Sequence, residues 1–164
     1  MKKHLINAIL ILLLTVTITS CITPSAPVRA HFCATEDCTS ILVAELLSAR
    51  NSIYFMTYSF TEKKIADALI SKSRHIQVKG VIEKQRITQS YNKFNYMKEQ
   101  GVQVITDKNK ATMHHKVFII DEKTVVTGSF NPTKSANEAN DENLVIIIDR
   151  DIAAEYLNEF KRIT

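Results

Sequence analysis

The 164-residue chain has no tryptophan, only three glycines and three prolines, and no internal repeat or low-complexity tract. Those absences exclude collagen-like, Pro-rich and solenoid architectures and leave one compact domain as the expectation. A comfortable membrane span is missing as well. The apolar run from Leu5 to Ile18 is diluted by Asn7, Thr15 and Thr17, and follows the basic start Met1-Lys2-Lys3, which suits a signal-peptide core better than a span. Residues 22–30, rich in Pro, Ser and Ala, read as a linker. We therefore divide the chain into a signal, lipoprotein or anchor segment at 1–30 and one folded domain at 31–164.

Three fates fit the first segment. Ile18-Thr19-Ser20-Cys21 resembles a bacterial lipobox with Cys21 as the lipidated residue, and lipidation would attach the protein to a membrane. Val28-Arg29-Ala30 offers ordinary cleavage before His31, and an uncleaved anchor is the third possibility. Each implies export to a periplasmic, extracellular or membrane-anchored location.

Bulk positive charge is also scarce. The whole chain carries +4, but Lys2, Lys3 and Arg29 belong to the first segment, which leaves 18 basic residues against 17 acidic ones. Net charge thus cannot argue for a polyanionic partner; only local clusters can. With Cys21 assigned to the sorting segment, Cys33 and Cys38 remain as an even pair, and a short-loop disulfide suits an oxidising compartment. The rival reading, a His31-x-Cys33-x4-Cys38 metal site, offers only three ligands at an unusual spacing.

What is present is an alternation of helical and extended patterns. A helix is expected from Thr39 or Ser40 to Arg50, a buried strand over Ser52–Ser59, and a helix capped by Thr61. A strand at His75–Glu83, a polar helix at Ser90–Gln100 stopped by Gly101, and a strand at Val102–Thr106 follow. Strands at Val117–Ile120 and Thr124–Thr127 flank an Asp-Glu-Lys turn, and Leu144–Ile148 precedes a last helix at Asp151–Arg162. This order predicts an α/β fold with a mixed β-sheet flanked by α-helices.

The informative stretch is Met113–Asn131, MHHKVFIIDEKTVVTGSFN. On extended backbone His114 and Lys116 point to one face, at the start of a strand apolar on both sides and hence central. Gly128 permits close approach of an anion, and the Asn131 amide can donate to a phosphate oxygen. Their pattern, H-x-K-x4-D-x6-G-S-x-N, resembles the HKD motif of the phospholipase D superfamily at every fixed position: His114, Lys116, Asp121, Gly128, Ser129 and Asn131. Tyr58-Ser59-Phe60-Thr61, and the run from about Cys38 to Arg162, resemble the small bacterial endonucleases of that superfamily. The Cys33–Cys38 segment and His115 depart from it.

The resemblance implies a phosphodiesterase in which a neutral His114 attacks phosphorus, a second histidine protonates the leaving oxygen, and Lys116, Ser129 and Asn131 stabilise the phosphate. It implies that Glu142 orients His114, that Asp121 serves structure, and that no metal or other cofactor is needed. The chain holds one motif where the chemistry uses two, so a homodimer is expected. Nucleic acid, DNA or RNA, is the expected substrate and membrane phospholipid the alternative. A non-catalytic nucleic-acid-binding role conflicts with the complete motif. Lys108 and Lys110, with Lys84 and Arg86, could line a groove for a nucleic-acid backbone. Tyr91, Phe94 and Tyr96 are expected to pack more than to stack on bases.

Overall fold

A computed structural model describes residues 27–164; Cys21 and most of the sorting segment lie outside the described residues. The strands are β1 (Val28–Phe32), β2 (Ser52–Thr57), β3 (Gln77–Ile82), β4 (Gln103–Thr106), β5 (Lys116–Ile120), β6 (Thr124–Gly128) and β7 (Asn143–Ile148). The helices are α1 (Cys38–Ser48), α2 (Lys63–Ser73), α3 (Phe94–Glu99), α4 (Lys134–Glu138) and α5 (Arg150–Ile163). The strands form one sheet in the order β1-β7-β6-β5-β2-β3-β4. β2, β3 and β4 run parallel, while the pairs β2–β5, β5–β6, β6–β7 and β1–β7 are antiparallel. The sheet is mixed, and β5, whose five residues are all buried, is its central strand.

Apolar residues on both sides of the sheet require cover on both faces. On one side Leu42 and Leu46 of α1 and Ile65 and Leu69 of α2 pack with Phe55, Phe118, Val126 and Leu144. On the other, Ala153, Leu157, Phe160 and Ile163 of α5 cover Met56, Val117, Ile119 and Val125. Each such fully buried side chain contributes about 1.5–3 kcal/mol before entropy is counted.

Several boundaries differ from the sequence expectation for local reasons. Asp37, not Thr39 or Ser40, caps α1, because its carboxylate accepts from both the Ser40 N–H and its hydroxyl (3.0 and 2.6 Å). Glu62 caps α2, since the Thr61 N–H is drawn to the Pro132 carbonyl. The helix expected at Ser90–Gln100 shrinks to α3, as the Asn92 side chain accepts from the Phe94 N–H (2.8 Å) and holds a turn before it. Gly101 does stop it in the left-handed region, at φ 88°. The linker reading ran to residue 30, yet Val28–Ala30 belong to β1. That edge strand is mostly exposed, so it carries no apolar alternation to betray it. Helix α4 is too short to show a period.

Candidate active site

The carboxyl ends of the parallel strands β2 and β3, the start of β5 and the end of β6 all lie at one edge of the sheet. The register sets Thr57 opposite Lys116, and Thr127 opposite Val117. Open α/β sheets place ligand sites at such carboxyl ends. Lys116 is 9% exposed, and its Nζ stands 3.1 Å from His114 Nδ1 while donating to the His114 carbonyl (2.9 Å). The same Nζ lies 3.3 Å from Nε2, so the ammonium sits beside both ring nitrogens and disfavours a second positive charge on the imidazole. Burial pushes the Lys116 pKa down, and the nearby charge of Glu142 opposes that shift.

His114 is exposed, but its pKa is held below the ordinary imidazole range. The first cause is loss of water on the protein side of the ring; the charges of Lys116 and Arg86 add to it, and Glu83 opposes them. A neutral, exposed imidazole is a competent nucleophile. Tyr58, just after β2, packs against it with ring centroids 4.4 Å apart and the planes tilted by 53°.

The other motif residues separate by role. Gly128 has φ 144°, and a side chain there would strike the carbonyl and amide oxygen of Asn143. That close approach lets Ser129 and Asn143 bond reciprocally: the Ser129 N–H donates to Asn143 Oδ1 (3.1 Å), and Ser129 Oγ accepts from the Asn143 N–H (3.0 Å). The Ser129 proton stays available. Asn131 is half-buried and accepts from the Ser59 N–H at 3.4 Å, which leaves its amide N–H groups to point elsewhere. Asp121 lies at the far end of β5, with φ 53°, and accepts from the backbone N–H groups of Arg50, Asn51 and Ser52 (2.7–3.1 Å). It is structural.

Glu142 does not reach the His114 ring within the chain. Its carboxylate accepts from the Asn140 amide (3.1 Å), and its carbonyl accepts from the Cys33 N–H (2.9 Å). Cys33 and Cys38 are disulfide-bonded, so no thiol remains for the alternative metal site, and His31 pairs with Glu36 instead. The suggested basic groove also divides. Lys108 and Lys110 are exposed on the loop leading to His114, whereas Lys84 is turned onto the Asn109 carbonyl and the buried Asp107. Phe94 is in the core, Tyr96 bonds Asp67, and Tyr91 is exposed. His115 pairs with Glu159 (3.0 Å).

One contributor escaped the sequence reading, Glu83, and two residues it named take sharper places: Tyr58 lies against His114, and Arg86, suggested only for a groove, lies over Tyr58. Glu83 is fully buried, and its carboxylate accepts from the Met113 N–H (2.6 Å), one residue before His114. The signal was there in an acidic residue ending an apolar strand, QVKGVIE.

Comparison with known proteins places the chain that carries this site in a family. A family model described as "Cardiolipin synthase, PLD-like domain" matches residues 42–164. The chain belongs to the phospholipase D superfamily. The crystal structure of the phospholipase D family member Nuc from Salmonella typhimurium superposes with a TM-score of 0.79 at 34% identity, covering 85% of this chain and 94% of that one. A phospholipase D of Rickettsia bellii is 34% identical over 134 residues, 81% of this chain and 67% of the relative. The mitochondrial cardiolipin hydrolase of Mus musculus is 30% identical over 129 residues, 78% of this chain and 58% of the relative. As a member of this superfamily the chain is a phosphodiesterase, with the mixed sheet and flanking helices its motif implied.

Proposed function

We propose that this protein is an exported, metal-independent endonuclease that cleaves DNA or RNA without sequence preference, as a homodimer, through a phosphohistidine intermediate. The observation that carries the reading is the half-site: one chain presents one neutral, exposed His114 beside one Lys116. In-line displacement at phosphorus uses two imidazoles, one to attack and one to protonate the leaving oxygen. A second copy around a two-fold axis supplies the second.

Nucleic acid is favoured over lipid by fold likeness and surroundings. The chain superposes on Nuc with a TM-score of 0.79 at 34% identity, and Arg86 adds a second cation near His114. The second reading, a phospholipase D acting on membrane lipid headgroups, draws on those relatives' names and on a possible lipid at Cys21. Processing at Cys21 also suits the fold better than cleavage before His31, which would remove three of the five residues of β1.

The test is a side-by-side assay of plasmid, RNA and phospholipid vesicles in chelator, with His114→Ala as control. Nicking of plasmid or RNA that the variant lacks supports the nuclease. Headgroup release with intact nucleic acid assigns the lipid instead. A monomer in sedimentation that keeps full specific activity on dilution rules out the dimer.

A further inference from the structure

The motif accounts for Lys116, Asn131 and Ser129 as the groups that meet an anionic phosphate, yet another cation lies close enough to lower the pKa of the nucleophile. Arg86 lies in the loop after β3 and is half-buried. Its guanidinium carbon sits 4.3 Å from the centre of the Tyr58 ring. The same ring stands 4.4 Å from the His114 ring and 5.1 Å from Lys116 Nζ. One aromatic plate therefore spaces the nucleophile and two cations.

Arg86 is unusual in what it lacks. Arg29 and Arg162 are paired with Glu45 and Glu159, and Arg50, Arg74 and Arg150, without a side-chain partner among the described residues, are exposed. Arg86 alone is half-buried, donates no side-chain hydrogen bond to any described residue, and has its Nε buried without a partner. Leaving a buried donor unmade costs about 1–3 kcal/mol, more for a charged group, and buried charges are ordinarily paired. Nor is the side chain adrift. The Arg86 N–H donates to the Glu83 carbonyl (2.9 Å), and the Glu83 carboxylate holds the Met113 N–H. The backbone of Arg86 and that of the residue before His114 are thus tied to one buried residue, while the guanidinium lies over the Tyr58 ring. An unmatched guanidinium held rigidly beside a nucleophile is an anion site awaiting its anion.

We propose that Arg86 is a further catalytic residue, whose unpaired guanidinium binds the non-bridging oxygens of the substrate phosphate beside Lys116, and that Tyr58 is the positioning residue that holds it there. The proposal rests on the reading of His114 as the nucleophile. As the bond from His114 nitrogen to phosphorus forms and the bond to the leaving oxygen breaks, that oxygen takes the proton of the second histidine. The guanidinium keeps the phosphate oxygens neutralised throughout.

The experiment uses the full chain and bis(4-nitrophenyl) phosphate, a diester that is neither nucleic acid nor lipid, in chelator. Arg86→Ala should lower kcat/KM by about 100-fold while the melting temperature holds. Arg86→Lys should recover only part of the loss, because an ammonium cannot present paired donors in a plane. The charged and titratable groups around His114 are Lys116, Arg86, Glu83 and His115. Removing one positive charge among them should move the acid limb of kcat/KM to higher pH in Arg86→Ala. Wild-type kcat/KM with an unmoved acid limb in that variant overturns the proposal.

Should the wild type leave the diester intact, the failure belongs to the His114 phosphodiesterase reading. Arg86 is then judged by calorimetry with inorganic phosphate on the wild type and on Arg86→Gln. Weakened binding by five-fold or more in the variant upholds the anion site, and equal affinity sinks it.

Discussion

The two ends of strand β5 carry polar groups of the same motif and treat them in opposite ways. At the far end the Asp121 carboxylate is saturated by three backbone N–H groups, which hold its pKa below the usual carboxylate range against the effect of burial. At the near end His114, Lys116 and Arg86 gather positive character with only the more distant charges of Glu83 and Glu142 to offset it. A satisfied polar group stabilises the fold; an unsatisfied one costs stability and waits for a ligand. The motif residues His114 and Asp121 therefore differ in what their loss should do.

The sharpest break is His114→Ala. Turnover of any phosphodiester should fall by about 1000-fold or more, with a melting temperature nearly unchanged, since His114 is exposed and its ring meets Tyr58 and the Lys116 ammonium at the surface. A large drop in stability instead would erase the contrast. Next is Asp121→Ala, which strips three N–H groups of their acceptor and should cost about 3 kcal/mol in urea unfolding. Its kcat, measured well below the melting point, should stay near wild type; a catalytic defect without instability would contradict the structural role.

Gly128→Ala belongs between the two classes. The side chain would strike Asn143 and force a strained φ, so about 2 kcal/mol of stability should go together with the Ser129–Asn143 bonds. Activity should fall in the same variant. If only one of the two falls, the close approach at Gly128 serves only one purpose.

The smallest effect concerns acid. Arg162 first, with His115 next among the lowering partners, holds the Glu159 pKa at about 2, below its usual 4.5. A depressed carboxylate contributes stability that is present above the unfolded pKa and is lost as pH falls toward 2. The group is partly solvated, so we expect about 1 kcal/mol, seen as a flatter stability profile between pH 4.5 and 2 in Glu159→Gln. His114 is shifted in the same direction, but its deprotonated form is the neutral one. Its lowered pKa keeps the nucleophile neutral under mildly acid conditions, so the acid limb of kcat/KM should lie below the usual imidazole value of about 6.5.

How much of this was legible beforehand follows from distance along the chain. The central position of Val117–Ile120 could be read because strand periodicity is local, and His114 and Lys116 share a face for the same reason. The turn at Asp121 and the stop at Gly101 are likewise matters of one or two residues. Strand β1 was not legible, because an exposed edge leaves no alternation. The partners of Asp121 lie about 70 residues away, and the bond from Met113 to Glu83 spans 30. No spacing rule reaches so far.

By itself the sequence determined the motif, the mixed sheet with its helices, and the chemistry open to a neutral imidazole beside a lysine. Tertiary structure alone decided that Glu142 turns from His114 within its own chain, and that Glu83 braces the nucleophile's loop. It also decided that Arg86 comes to rest, unpaired, over Tyr58. Those contacts depend on which strands become neighbours and in what register, and that is settled only when the whole sheet closes its core.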